Sequence, residues 1–152
     1  MRKSWDEYFL DIADVVSTRS TCDRRHVGAV IVKDNRALSM GYNGSLHGEG
    51  HCDDIGHEIV NNHCIRTVHA EANAILQAAN HGVSVKGAVM YINTPPCYNC
   101  FKLCMNSGIS SIVYRGEYFH DPMVEVKSKE LGFSIKRIRE NFPDEAGTNN
   151  QS

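Results

Sequence analysis

The sequence predicts an α/β fold in which a mixed five-stranded sheet lies between helices. Two observations support this prediction. The segment 27–32 is apolar and rich in β-branched residues, the turn residues Asp34 and Asn35 follow it, and 37–42 supplies a return strand, so the two segments are expected to form a hairpin. After residue 67, helix-like and strand-like segments alternate, which favours parallel strands joined by right-handed crossovers. A hairpin followed by such units gives a sheet with both kinds of pairing.

The first predicted helix covers residues 5–18. Ser4 followed three positions later by Glu7 is a capping-box pattern, which is typical of a helix N-terminus. Apolar side chains then recur at helical spacing, at Trp5, Tyr8, Phe9, Ile12, Val15 and Val16. We expect this stripe to cover one face of the sheet, because that is the commonest use of an amphipathic helix.

The remaining elements follow from local signals. The segment 43–62 is rich in glycine and histidine and lacks a sustained period, so we predict a long irregular loop that must be tied down. A helix is predicted from Thr67 to a cap at 80–82, and another from Cys97 to Ser107. The other predicted elements are strands at 88–93, 109–114 and 133–138 and a helix at 122–131.

Length and composition indicate one domain at residues 1–140, followed by a mobile tail at 141–152. The formal net charge is −2, with both signs mixed along the chain, which argues against a nucleic-acid partner. Apolar runs stay well short of the roughly 20 residues of a membrane span, and the charged N-terminus does not resemble a signal peptide. We therefore expect a cytoplasmic protein with a small-molecule partner and no membrane. Its six cysteines are then metal ligands or core thiols.

Two short motifs carry the chemistry. A His-Ala-Glu sequence supplies His69 and Glu71, and a Pro-Cys-Tyr-Asn-Cys sequence supplies Cys97 and Cys100. One imidazole and two thiolates can hold zinc tetrahedrally and leave the fourth position to water. Zinc lowers the pKa of bound water to about 7, and a nearby carboxylate can accept and return its proton. The sequence therefore predicts a catalytic zinc at two helix N-termini, with Glu71 as proton shuttle.

Taken alone, each motif also fits a different kind of site. Cys97 and Cys100 could form a thioredoxin-like redox pair or half of a structural zinc site, for which Cys104 is the only spare thiol nearby. The redox interpretation makes His69 and Glu71 a coincidence, and the structural interpretation gives Glu71 no role. The combination of both motifs in this order favours the catalytic site.

The chain also resembles a known family. The segment Thr-Cys-Asp-Arg-Arg-His-Val-Gly-Ala-Val-Ile-Val at 21–32 and the turn Gly41-Tyr42-Asn43-Gly44 are similar to those of the deoxycytidylate (dCMP) deaminase family, and the resemblance covers residues 5–138. It implies a three-layer cytidine-deaminase-like fold and hydrolysis of dCMP to dUMP and ammonia, which supplies dUMP for thymidylate synthesis. Two alternatives are a tRNA adenosine deaminase and a zinc-dependent regulatory module without turnover. The balance of charges argues against the first, and Glu71 argues against the second.

The resemblance also implies contacts with the nucleotide. Asn43 matches the family's nucleotide-contacting asparagine, and Tyr118 matches an aromatic residue that covers the base or sugar. Arg25 is a candidate for the phosphate, since a guanidinium group binds phosphate oxygens in a bidentate manner. Each residue also has a purely structural interpretation, as a turn asparagine, an exposed tyrosine or a solvated charge.

A second zinc site, structural in kind, is predicted from the thiols and imidazoles in and around the long loop. The predicted ligands are Cys22, Cys52, His57 and Cys64. His51 and His63 are possible substitutes. A site with three cysteines and one histidine would be closed, and it would order a loop that otherwise lacks a core. Members of the resembled family often carry such a site. The alternative is a set of unconnected buried thiols and surface histidines.

Regulation and assembly are implied by the resemblance alone. It implies a homohexamer that is activated by dCTP and inhibited by dTTP, with Mg2+ accompanying the triphosphate. The turn at 41–44 and the pair Arg24 and Arg25 could shape a phosphate-binding turn, and the loop at 43–64 could reach another subunit. No hydrophobic patch evident in the sequence independently requires association.

Overall fold

The computed structural model describes residues 2–61, 63–117 and 120–139. The predicted tail at 141–152 lies outside the described residues. The helices are α1 (Trp5–Ser17), α2 (Cys52–Ile55), α3 (Ala70–Asn80), α4 (Tyr98–Ser107) and α5 (Pro122–Leu131). The strands are β1 (Gly28–Lys33), β2 (Arg36–Tyr42), β3 (Gly44–Ser45), β4 (Ile59–Val60), β5 (His63–Cys64), β6 (Thr67–Val68), β7 (Val89–Ile92), β8 (Ser111–Tyr114) and β9 (Ser134–Arg137).

A mixed five-stranded sheet forms the centre of the fold, in the order β2-β1-β7-β8-β9. Strand β1 is antiparallel to both β2 and β7, whereas β8 is parallel to β7 and β9. The hairpin between β1 and β2 turns at Asp34 and Asn35, whose φ angles are 51° and 56°. Two consecutive positive φ angles are what a tight hairpin turn requires. The predicted mixed sheet is confirmed.

Helices cover both faces of this sheet, which gives three layers. On one face, α1 buries Phe9, Leu10 and Ala13 against β1, β7 and β8. Its N-terminus is capped as predicted, since the Ser4 hydroxyl accepts a hydrogen bond from the Glu7 amide at 3.2 Å. On the other face, α3, α4 and α5 bury a larger set of side chains. This set includes Ala70, Ala74, Phe101, Cys104, Val124, Ile31, Met90 and Ile112.

Helix α3 lies unusually close to strand β2. The contact is possible because Gly41 has no side chain: a Cβ atom there would stand 2.4 Å from both the Ala70 carbonyl oxygen and the Ala74 nitrogen. Carbon and oxygen atoms do not approach to that distance without displacement. Gly41 therefore fixes how near the first turn of α3 comes to the sheet.

The loop prediction for residues 43–62 is wrong in part. That segment contains β3, α2 and β4, and these short elements pair with residues that follow it: β3 with β6, and β4 with β5. The predicted start of the next helix at Thr67 is also wrong, because Thr67 and Val68 form β6 and the helix begins at Ala70. The β-branched side chains of both residues suit a strand, and the pairing with β3 overrides the helical spacing.

Candidate functional site

The predicted metal ligands lie at the N-termini of α3 and α4. His69 is the N-cap of α3 and Cys97 is the N-cap of α4, and both have extended backbones. The prediction that α4 includes Cys97 is therefore wrong by one residue. Pro95 and Pro96 explain the extended approach to α4, because the residue before a proline is driven away from helical angles. Both N-caps thus point their side chains forward from a helix end.

The geometry of these side chains suits a tetrahedral zinc ion. The Nδ1 atom of His69 lies 3.5 Å from the Sγ atom of Cys97 and 3.4 Å from that of Cys100. With zinc bonds of about 2.3 Å to sulfur and about 2.0 Å to nitrogen, tetrahedral angles separate the two kinds of ligand by about 3.5 Å. The donor types and their spacing both fit zinc.

Glu71 belongs to the same cluster. One ligand atom from each of His69, Glu71, Cys97 and Cys100 lies within 4.8 Å of the others. The Glu71 side chain is only 3% exposed, and burial raises its pKa. Cys104 is fully buried on the next turn of α4, and burial likewise raises the pKa of its thiol. A carboxylate is therefore held beside the three metal-type ligands, away from bulk water.

The ligands also polarise one another. Hydrogen bonds from Cys100, and then from His69, lower the pKa of the Cys97 thiol to about 4, although burial opposes this. The hydrogen bond with Cys97 in turn raises the pKa of His69. The Cys100 amide also donates to the Cys97 sulfur at 3.5 Å. A thiolate is the form of cysteine that binds metals, so these hydrogen bonds favour the ligating form of Cys97.

A second cluster brings together the four residues predicted for structural zinc. The ligand atoms of Cys22, Cys52, His57 and Cys64 lie within 4.8 Å of one another. The Sγ atoms of Cys52 and Cys64 are 3.6 Å apart, and the Sγ of Cys22 is 3.4 Å from Nδ1 of His57. Tetrahedral zinc separates two sulfur ligands by about 3.8 Å. The cluster therefore also suits zinc. Its histidine is oriented by Asp23, whose Oδ1 lies 2.7 Å from the other ring nitrogen.

Of the two suggested substitutes, only His51 has a described side chain, and it does not join this cluster. His51 is the N-cap of α2 and its ring is not among the grouped ligands. The side chain of His63 lies outside what the structure describes.

Comparison with known proteins identifies the family. Residues 3–115 match the family model for the cytidine and deoxycytidylate deaminase zinc-binding region. The chain belongs to the cytidine and deoxycytidylate deaminase family. The matched segment contains the residues of both clusters.

Individual relatives of this deaminase cover most of its length. ComE operon protein 2 of Bacillus subtilis is 39% identical over 137 residues, which span 90% of this chain and 72% of that protein. The deoxycytidylate deaminase of Mycobacterium phage D29 is 39% identical over 128 residues, 76% of this chain and 98% of that one. The dCMP deaminase of cyanophage S-TIM5, in complex with dCMP and dUMP, has a TM-score of 0.77 at 27% identity and covers 91% of this chain and 99% of its own.

Asn43 and Arg25 lie together beside the catalytic cluster of the deaminase. Asn43 is buried, and its amide pairs with the backbone: Oδ1 accepts from the Val27 amide at 2.9 Å, and Nδ2 donates to the Arg25 carbonyl at 2.7 Å. The Arg25 guanidinium donates to the Thr94 hydroxyl, and its positive charge opposes, without reversing, the rise in the pKa of His69 that the hydrogen bond with Cys97 causes. Tyr118 lies outside the described residues.

Sequence reasoning missed a second asparagine that holds the same segment. Asn93 follows β7, and its Oδ1 accepts from the Gly28 amide at 3.0 Å while its Nδ2 donates to the His26 carbonyl at 3.3 Å. The backbone at the entry to β1 is therefore hydrogen-bonded on both sides, by the side chains of Asn43 and Asn93. An asparagine after a strand carries no signal that distinguishes this role, so only the neighbouring strand order reveals it.

Thr21 links the second cluster to the turn that contains Asn43. Its amide donates to the Asn43 carbonyl at 3.3 Å, and its carbonyl accepts from the Asp53 amide at 3.2 Å. Its hydroxyl accepts from the Ser45 amide at 3.2 Å. Thr21 precedes one predicted ligand, Cys22, and Asp53 follows another. The two metal-type clusters thus share one hydrogen-bonded frame.

An open groove of about 800 Å³ lies between β2, α3 and the segment 44–51. Its lining has more apolar than polar surface and includes Arg19, His47, His51 and His81 together with the acidic Glu49. Ser45 also lines it, and the buried Ser45 hydroxyl has no hydrogen-bond partner among the described residues. The groove lies beside the turn at 41–44.

No helix in the described ranges has both the length and the apolar character needed to cross a membrane.

Proposed function

We propose that this deaminase hydrolyses dCMP to dUMP and ammonia and so supplies dUMP for thymidylate synthesis. The observation that carries the proposal is the convergence of His69, Cys97, Cys100 and the buried carboxylate of Glu71 at two helix N-termini. The choice of dCMP is supported by the similar phage enzyme that bears this name and by the similar S-TIM5 enzyme in complex with dCMP and dUMP.

His69, Cys97 and Cys100 would hold the zinc ion. Bound there, zinc would lower the pKa of a water molecule to about 7 and make it a nucleophile at neutral pH. Glu71 supplies the only carboxylate oxygen grouped with these ligands in the described chain. It would take the proton of the water molecule and deliver it to N3 of the pyrimidine as oxygen adds to C4. A second transfer through Glu71 would carry the proton of the new C4 hydroxyl to the 4-amino group, so that the C4–N bond breaks, the C4 carbonyl forms and ammonia leaves.

The position of Glu71 suits this proton traffic. Its carboxylate is shielded from solvent at 3% exposure, which prevents exchange of the proton with bulk water during the reaction. Its place in the first turn of α3 also sets it next to His69, so that one helix end carries both a ligand and the shuttle. No other element needs to move for the two to act together.

We assign the substrate phosphate to Arg25. The assignment is supported by the electrostatic interaction of the guanidinium with His69 and by its hydrogen bond to Thr94. Asn43 holds the Arg25 carbonyl and retains one N–H donor and one lone pair on its amide, which could contact the sugar. Tyr118 would cover the base or sugar; this assignment rests on the resemblance alone.

A panel of cytosine compounds tests the activity and these roles. The zinc-loaded protein should release ammonia from dCMP in preference to deoxycytidine, CMP and dCTP. Glu71→Gln should keep its zinc and lose about 10²- to 10⁴-fold in kcat, which is the usual contribution of an acid–base group. Arg25→Gln should raise KM for dCMP and leave turnover of deoxycytidine unchanged. Normal turnover by Glu71→Gln would remove the shuttle role, and preference for the nucleoside would remove the proposed substrate.

We propose that Cys22, Cys52, His57 and Cys64 hold a second, structural zinc. With four protein ligands the site is closed and leaves no position for water. It would join the segment between α1 and β1, the segment 52–57 and the residues just before β6. Burial raises the pKa of Cys64, but hydrogen bonds from the backbone of Glu58 and Arg66, together with those of His57 and Cys52, bring it down to about 6, which favours the thiolate. The cluster would thereby hold in place the segment 43–62, which has too few apolar residues to form a core of its own.

We propose that dCTP activates and dTTP inhibits the enzyme, each with Mg2+, by binding in the groove beside β2 and α3. Arg19 and the histidines would contact the triphosphate, and the groove is lined by Tyr42 and Gly44, which flank Asn43, and by Asn73 of α3. The proposed assembly is a homohexamer. Four exposed aliphatic side chains on the second-cluster loop, Ile55, Ile59, Val60 and Ile65, offer an apolar surface for it.

The proposed location is the cytoplasm. The cysteines of both clusters are free thiols, and the reducing conditions of the cytoplasm keep thiols in that form.

A further inference from the structure

One carboxylate connects the N-termini of two helices next to the catalytic cluster. Asp121 is the N-cap of α5, where its Oδ1 accepts a hydrogen bond from the Met123 amide at 3.0 Å. Its other oxygen, Oδ2, accepts from the Tyr98 amide at 3.2 Å. Tyr98 is the first residue of α4 and directly follows Cys97. The two oxygens of one side chain therefore serve two different helices.

The first turn of α4 depends on polar contacts of this kind. The first amides of a helix have no partner within the helix, so each must find one elsewhere. In α4 the Cys100 amide uses the Cys97 sulfur, and the Tyr98 amide uses Asp121. The apolar anchor of α4 lies further along, where the rings of Phe101 and Phe133 meet edge to face at 5.4 Å. The turn that carries both thiols is thus held at its start by Asp121.

We propose that Asp121 is a positioning residue for the catalytic zinc ligands. It fixes the Tyr98 amide, hence the backbone of Cys97, and so sets the directions from which the two sulfur atoms face Nδ1 of His69. The proposal rests on the proposed role of Cys97 and Cys100 as zinc ligands. Outer-shell groups of this kind typically change metal affinity or activity by about 10- to 100-fold when removed.

The alternative role for Asp121 is that it only caps α5. Two substitutions separate these roles. Asp121→Ser keeps a good N-cap, but a single, shorter hydroxyl cannot also reach Tyr98. Asp121→Ala removes both hydrogen bonds. Ser4→Ala is the matched control, because it deletes the N-cap of α1, on the opposite face of the sheet from the cluster.

The main measurement is the rate at which a chromogenic chelator removes zinc, with the phase from the catalytic site identified by its absence in Cys97→Ala. Both Asp121 variants should lose this zinc at least about tenfold faster than the wild type and lose kcat by a similar factor. KM for dCMP should not change. Only Asp121→Ala and Ser4→Ala should show a lowered Tm, and Ser4→Ala should keep its zinc normally.

Amide hydrogen exchange supplies a readout that needs no metal. In the zinc-free protein, the Tyr98 amide should exchange faster in both Asp121 variants than in the wild type. Wild-type zinc retention and Tyr98 protection in Asp121→Ser would overturn the proposal and leave Asp121 as a cap. A wild type that does not act on dCMP would instead defeat the proposed function, because zinc retention and amide exchange do not depend on the substrate.

Discussion

The close approach of α3 to β2 at Gly41 allows a quantitative prediction of how a substitution there changes stability and kcat. Gly41→Ala adds a Cβ atom that would lie 2.4 Å from the Ala70 carbonyl oxygen and the Ala74 nitrogen, whereas ordinary contact begins at 3.4 Å. Relief of this overlap requires the two backbones to separate by about 1 Å. Ala70 lies between His69 and Glu71, so the displacement falls directly on the proposed zinc ligand and the proposed proton shuttle.

Two consequences of this displacement can be estimated. Overpacking of this kind costs about 1–3 kcal/mol in the free energy of unfolding. A displacement of about 1 Å at a catalytic group costs about 10²-fold in rate. Gly41→Ala should therefore fold with reduced stability and lose about two orders of magnitude in kcat, and this loss should exceed what the unfolded fraction explains.

Gly28→Ala provides the comparison. Its Cβ would lie 2.0 Å from the Ala13 carbonyl oxygen, so it overlaps with α1, which carries no part of the catalytic cluster. Both variants should be destabilised, but Gly28→Ala should retain more kcat per folded molecule. The assay is ammonia release from saturating dCMP, normalised to the folded fraction from circular dichroism and to zinc content. Equal kcat for the two variants would refute the claim that the Gly41 contact sets the position of Glu71.

Two further predictions concern zinc content and regulation. Elemental analysis of the wild type should give two zinc ions per chain, and Cys52→Ala should retain one zinc ion and lose stability. If the wild type holds about one zinc ion and Cys52→Ala is as stable as the wild type, the second site is contradicted. Turnover of dCMP against concentration should rise with dCTP plus Mg2+ and fall with dTTP plus Mg2+, in a species of hexameric mass, because each effector must favour a different state. If the protein is a monomer and its curves are hyperbolic and unchanged by either effector, the proposed regulation and assembly are wrong and only the deaminase assignment remains.

The elements whose signals are local could be predicted from the sequence. The Ser4 cap, the hairpin turn at Asp34 and Asn35 and the proline entry to α5 all depend on neighbours within a few positions, and the structure has them. The segment from 43 to 68 could not be predicted, because its short strands exist only through pairing with distant residues. Thr67 illustrates this point, since helical spacing continues through it while β3 holds it extended.

The candidate site divides in the same way. His69, Glu71, Cys97 and Cys100 were accessible because a zinc site restricts residue types and spacing so strongly. Asn93 and Asp121 were not accessible, because an asparagine or aspartate near the end of an element is common in any sequence. Their roles depend on which strand or helix lies beside them, and that information appears only in the fold.

The hydrogen bonds that Asn43 and Asn93 make with the entry to β1 have a consequence for the path of the chain. Both side-chain amides act as extra peptide groups, so the backbone at 25–28 stays hydrogen-bonded where β2 and β7 end. The strands can therefore diverge at this end of the sheet without leaving these backbone groups unpaired. The chain after Asn43 is free to pair with β6 instead, and the chain after Asn93 is free to run past Arg25, through Thr94, toward Cys97.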